Sequence, residues 1–193
     1  MEDADLETGN RTRTRMIRAA ADLMQRRGYL GTGVNDILAH AEAPRGSLYH
    51  HFPGGKRQLA VEALNYTGKR FARDLDTAAA NSPSLSAYLN AIAELSKRDL
   101  AATDFDAACP VAATALDVPS DETDLIAACD QAFRLWARAI SLSLTAKGVA
   151  TERTQALADL ILRSMLGATM AAKVSRDLEP IDATMGQLKL IIE

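Results

Sequence analysis

Residues 44–56 read Pro44-Arg45-Gly46-Ser47-Leu48-Tyr49-His50-His51-Phe52-Pro53-Gly54-Gly55-Lys56. Pro44 suits the start of a helix and Pro53-Gly54-Gly55 ends one, so a short helix is predicted through Arg45–His51. At about 1.5 Å per residue it is roughly 10 Å long, comparable with a major groove about 12 Å wide. Leu48 and Phe52 lie four apart and are expected to point inward as core. Arg45 can donate to guanine edges or phosphate, Ser47 to either, and Gly46 lets the backbone come close to a partner. Tyr49, His50 and Lys56 offer donors at the rim, where phosphates run. For Tyr49 and His50 the plain alternative is an ordinary half-exposed helix pair.

Immediately upstream, Val34, Ile37, Leu38 and Ala41 mark another short helix, which follows the turn Gly31-Thr32-Gly33 and has Asp36 in its first turn. Thr32, at that turn, is counted among the groups expected to face nucleic acid. Residues 11–27 carry Met16, Ile17, Ala20, Leu23 and Met24 at helical spacing, with Arg11, Arg15, Arg18, Asp22 and Arg26 on another face. Asn10 is the expected cap and Gly28 the expected end. Two helices joined by a short turn, the second of groove size, form a helix-turn-helix.

Charge supports that reading. The 193 residues carry a net charge of −3, yet residues 10–70 hold eleven Lys/Arg against four Asp/Glu, a net +7. Residues 1–9, with four acids and no base, are expected to be a disordered acidic extension. A basic block ahead of an acidic, Ala/Leu-rich remainder is the footprint of a polyanion on one module, with uneven surface charge as the bland alternative.

Downstream, a helix from Lys56 shows Leu59, Ala60, Ala63, Leu64, Phe71 and Leu75 along one side and ends at Asn81-Ser82-Pro83. Helical periods continue over 85–102, 110–117, 121–147, 151–175 and 180–192, with no convincing strand or repeat. The predicted fold is all-α, divided into a helix-turn-helix domain at 10–57, a connecting helix at 58–83 and a helical domain at 84–193. Apolar residues of 157–174 encircle more than one face, beyond what one intrachain core requires. Leu162, Met165 and Ala168, with Met185, Leu188 and Ile192 of the last stripe, are therefore expected to join two chains in a four-helix bundle. Burial wholly within one chain is the alternative. Phe105, Cys109, Phe133 and Trp136 are the expected lining of a site for a small hydrophobic ligand, with plain core as the competing reading.

Other chemistries fit poorly. His50 and His51 lie about 100° apart on a helix and His40 stands alone, so no metal site is expected. Cys109 and Cys129 sit in apolar company and are expected to be reduced core residues. Gly54-Gly55-Lys56 lacks the Gly and the Ser/Thr that a phosphate loop needs at positions 50 and 57. Cys109 has no His outside residues 40–51 to activate it, so neither an enzyme nor a cofactor is expected. The acidic N-terminus has no signal-peptide character and no apolar run approaches a membrane span, so the expected location is the cytoplasm, with no membrane partner.

Residues 11–57 resemble the DNA-binding head of the TetR family of repressors, most closely in Pro44–Phe52 and in Lys56. Two positions depart from that pattern: Glu42, where Gly is common, and Pro44, where a Ser or Thr cap is common. Pro44 with Pro53-Gly54-Gly55-Lys56, and the later Cys109-Pro110-Val111-Ala112-Ala113-Thr114-Ala115-Leu116, resemble the LmrA/YxaF-type subgroup. The resemblance implies a homodimeric transcriptional repressor on a palindromic double-stranded operator, with a C-terminal domain that dimerises and binds a small inducer. From a different class, the rival is an all-α protein that sequesters a small molecule or partner and carries an incidental basic head.

Overall fold

A computed structural model describes residues 2–192, with side chains from Arg11 onward. In chain order the helices are α1 (Glu2–Arg27), α2 (Val34–His40), α3 (Ser47–His51), α4 (Gly55–Asn81) and α5 (Leu85–Ala101). They continue with α6 (Pro110–Asp117), α7 (Thr123–Ala146), α8 (Thr151–Ser175) and α9 (Glu179–Ile192). No strand occurs among the described residues. α1 takes in Asn10, expected as its cap, and its backbone extends to Glu2 through the stretch expected to be disordered.

The compact units do not follow the linear division expected from the sequence. One gathers residues 1–67 with 110–132, the other 68–109 with 133–193. The reason lies in packing: α6 lies against α1, so it condenses with the N-terminal helices although more than eighty residues separate them in the chain.

In the first unit, α1 also packs on α2. Met16, Met24, Leu48, Phe52, Leu59 and Leu64 are buried there, as are Val111 of α6 and Leu125 of α7. Each such side chain contributes about 1.5–3 kcal/mol of apolar burial. The turn before α3 contains Glu42 in the left-handed region at φ 49°. A Cβ is costly in that conformation, which explains why glycine is common at this point of the pattern. α1 braces the same turn, Arg15 Nη2 donating to Glu42 O at 3.2 Å.

In the second unit, α8 packs on α9 and both pack on α5. Tyr88, Leu89, Trp136, Ile140, Leu144, Ile161 and Ile181 are buried in it. Ser84 caps α5, its Oγ accepting Ala87 N–H at 3.2 Å. Helix ends leave carbonyls without partners. At the end of α4, Lys147 meets this need, its Nζ donating to Ala79 O at 3.0 Å and to Ser82 O at 2.7 Å. Lys147→Ala is expected to cost about 1.5 kcal/mol, the low end for hydrogen bonds to a charged group because the side chain is partly exposed. Urea unfolding of the two proteins measures the difference.

Candidate nucleic-acid interface and sensor face

α3 is one turn long, and its two sides differ sharply. Leu48 and Phe52 are buried, as the four-residue spacing predicts. Arg45, Gly46, Tyr49 and His50 are exposed, Tyr49 by 70% of its surface, and Ser47 is half-buried. Gly46 has ordinary helical φ and ψ of −77° and −12°. A Cβ there would meet nothing within 4 Å, so neither backbone strain nor internal crowding requires glycine.

Below this ridge, Arg13 of α1 lies over the Phe52 ring at 5.1 Å from its centroid and pairs with Glu62 of α4. The rings of His50 and His51 meet edge to face at 4.7 Å.

Two expected contacts stand elsewhere. Thr32 is only 1% exposed, and its hydroxyl donates to Gly28 O at 2.7 Å, finishing the end of α1. With that hydroxyl donating internally, Thr32 is buried at the corner and does not stand on the exposed ridge with Arg45, Tyr49 and His50. Lys56 is half-buried with Nζ 4.3 Å from the Tyr29 ring centroid. Burial lowers its pKa, against an opposing pull from Asp117.

Phe133 and Trp136 do come together, edge to face at 5.6 Å, and Phe71 of α4 joins them at 4.9 Å from Trp136. The Trp136 indole is buried and donates to Gly68 O at 2.8 Å. Periodicity had marked Phe71 only as part of an apolar stripe. Phe105 has another setting: half-buried at φ 61°, it lies under Arg176, which is bonded to Asp104 at 2.6 Å. Both cysteines are thiols. Cys109 is half-buried, and Cys129 is buried with Sγ 3.7 Å from Val111 O.

The residues expected to join two chains are already used within one. Leu162, Met165, Ala168, Met185, Leu188 and Ile192 are each less than a tenth exposed in the single chain. A side chain buried in its own core has almost no surface left for a partner. The same helices carry a second face that is open: Leu160, Met170 and Val174 on α8, Leu190 and Ile191 on α9, with Val174 at 81% and Leu190 at 78% exposure. Gly167 and Gly186 on these helices have nothing within 4 Å of where a Cβ would stand. Among the described residues no group of three or more His, Cys, Asp or Glu could hold a metal, and no helix is long and apolar enough to cross a membrane.

An inward-anchored helix pair with an outward ridge of donors defines a helix-turn-helix DNA-binding head, and known proteins agree. Residues 16–63 match the description "bacterial regulatory proteins, tetR family", and residues 86–187 match "transcriptional regulator LmrA/YxaF-like, C-terminal domain". An uncharacterized HTH-type transcriptional regulator of Mycobacterium tuberculosis is 36% identical over 186 residues, 93% of each chain. The HTH-type transcriptional regulator LmrA of Bacillus subtilis is 30% identical over 174 residues, covering 88% of this chain and 90% of LmrA. The HTH-type transcriptional repressor NemR of Escherichia coli is 26% identical over 96% of each chain. A crystal structure of the regulatory protein TetR from Rhodobacter sphaeroides superimposes with TM-score 0.79 at 25% identity, covering 91% of this chain and 95% of that one. The chain belongs to the TetR family of bacterial transcriptional regulators, with an LmrA/YxaF-like C-terminal domain. That family is one of DNA-binding regulators and not an enzyme class.

One pH effect follows from the geometry around α3. Burial first, then the charges of His50 and Arg13, hold the His51 pKa below the ordinary 6.5. Below 6.5 the unfolded chain takes up this proton while the folded chain still resists it, so stability falls as pH drops and is level above. His51→Gln is expected to flatten that dependence, which urea unfolding at pH 7.5 and pH 5 measures.

Proposed function

We propose that this regulator is a homodimeric, ligand-responsive repressor that binds a palindromic double-stranded operator through α3. The observation that carries the reading is the exposed Arg45, Gly46, Tyr49 and His50 ridge above a buried Leu48 and Phe52. Arg45 reads base edges, Gly46 admits the backbone closely, Ser47, Tyr49 and His50 bond phosphates and the groove rim, and Lys56 adds positive potential behind them. Repression is supported by the word "repressor" in the name of NemR. A protein acting on chromosomal DNA works in the cytoplasm.

Two copies join through the open face of α8 and α9, where Leu160, Met170, Val174, Leu190 and Ile191 are exposed. Gly167 and Gly186 let the facing helices approach closely. A two-fold pair of heads then matches two half-sites. The ligand is a small hydrophobic molecule, with the aromatic cluster of Phe71, Phe133 and Trp136 as its reporter. Ligand binding is worth about 1–3 kcal/mol of coupling against DNA.

A mobility-shift assay with duplexes selected by the protein from a random library tests the DNA reading. Affinity is expected to fall steeply with salt, by about 0.9 in log–log slope for each neutralised phosphate. Arg45→Ala is expected to cost roughly 1–3 kcal/mol and to relax base preference at one position per half-site. Unchanged affinity and preference would mean that another segment reads the DNA, and enrichment of no duplex at all would favour the sequestering protein.

The dimer reading is tested by Leu190→Arg, which adds charge to the open face without entering the core. Light scattering is expected to show monomers, with far-ultraviolet circular dichroism unchanged. A mutant that stays dimeric moves the interface elsewhere.

A further inference from the structure

α6 ends at Asp117, and the carboxylate of this residue lies against the corner where α1 gives way to the turn before α2. Its Oδ2 accepts the Leu30 N–H at 2.8 Å. Its Oδ1 is buried and has no hydrogen-bond partner among the described residues. Gly28, two residues before Leu30, has φ 68°, a left-handed conformation that suits glycine. Space adds a second demand, since a Cβ on Gly28 would fall on the same carboxylate, 2.8 Å from Asp117 Cγ. The corner and the carboxylate are thus fitted to each other from both sides.

Neighbouring contacts tighten this region. Tyr29, between Gly28 and Leu30, is buried beneath Lys56 of α4. Arg57, the next residue, pairs with Glu122 at 3.1 Å and with Asp124 at 3.0 Å, just before and within the first turn of α7. Thr32 closes back on Gly28 O, and Gly33 is the N-cap of α2. The path from the carboxylate to the start of α2 is therefore only four residues, Leu30–Gly33, within which Thr32 is buried and bonded back to Gly28 and Tyr29. α2 in turn leads through the Glu42 turn into α3.

We propose that Asp117 is a positioning residue for DNA recognition: from the end of α6 it clasps the Gly28–Leu30 corner and so sets where α2 and α3 stand within the head. The proposal rests on the reading of α3 as the recognition helix. A carboxylate that only added stability would leave the discrimination between operator and other DNA untouched. A positioning carboxylate moves that ratio, because phosphate contacts tolerate a displaced helix better than base-edge contacts do.

The experiment combines hydrogen exchange with DNA binding in the full-length protein, using the duplex that the wild type selects from a random library and a scrambled duplex of equal composition. Asp117→Leu removes the acceptor, and Asp117→Asn keeps one through its amide oxygen. In Asp117→Leu the Leu30 amide is expected to exchange about tenfold faster, as one charged hydrogen bond is lost. Amides in the middle of α1 are expected to hold their rates. The preference for the selected duplex over the scrambled one is expected to fall by a similar factor, with Asn restoring most of both.

Gly28→Ala provides an independent route if Asp117→Leu folds poorly. It is expected to lower the preference in the wild-type background and to lower it less beside Asp117→Ala, which removes the side-chain atoms the methyl group would meet. An unchanged Leu30 rate would overturn the clasp. Faster exchange with an unchanged preference would overturn positioning and leave only a stabilising bond. If the wild type selects no duplex, the recognition reading fails and the proposal fails with it, while the Leu30 exchange rates still report on the clasp.

Discussion

A helix of five residues does not hold itself in water, because forming its first turn fixes more backbone than its own hydrogen bonds repay. α3 therefore exists only as far as other segments hold it, and the rest of the head follows from that constraint. Leu48 and Phe52 anchor it from beneath, with Arg13 of α1 over the Phe52 ring and Glu62 of α4 paired to Arg13. The length of α1 and α4 is the scaffold's answer to the brevity of α3. Only with both apolar residues turned inward can Arg45, Tyr49 and His50 stand outward together.

The corner before α2 shows the same dependence on distant chain. Thr32 and Gly28 close it locally, while Asp117 of α6 supplies the carboxylate that the exposed Leu30 amide needs. Lys56 and Arg57 turn toward Tyr29 and toward the acids around the start of α7. Positive charge at the front of α4 is thus partly engaged inside the head, and the exposed arginines of α1, with Arg45 just before α3, carry more of the field presented to a polyanion.

In the other unit, α8 and α9 illustrate how one helix serves two surfaces. Their inner stripes, with Ile161, Met165, Ile181 and Leu188, build the core against α5. Their outer stripes leave Leu160, Met170, Val174, Leu190 and Ile191 open. An apolar residue in such a helix therefore carries no label for the surface it serves.

Much was legible in the sequence because local rules govern it. The helices end close to where Gly28, Asn81-Ser82-Pro83 and Lys147-Gly148 predict, since those residues break or cap helices whatever surrounds them. The inward turn of Leu48 and Phe52 follows from 3.6 residues per turn. α3 is shorter than expected, starting at Ser47, because Arg45 and Gly46 form the turn that leads into it. The sequence by itself thus determined an all-α chain, a basic head and a groove-sized helix with its donors on one side.

Only the tertiary structure decided which of two apolar stripes on α8 and α9 is core, because that depends on where α5 lies. It decided that Thr32 bonds inward, that α6 belongs with the head, and that a carboxylate at position 117 meets an amide at position 30. Periodicity specifies a residue's direction around its own helix and carries no information about which distant segment fills the space it faces.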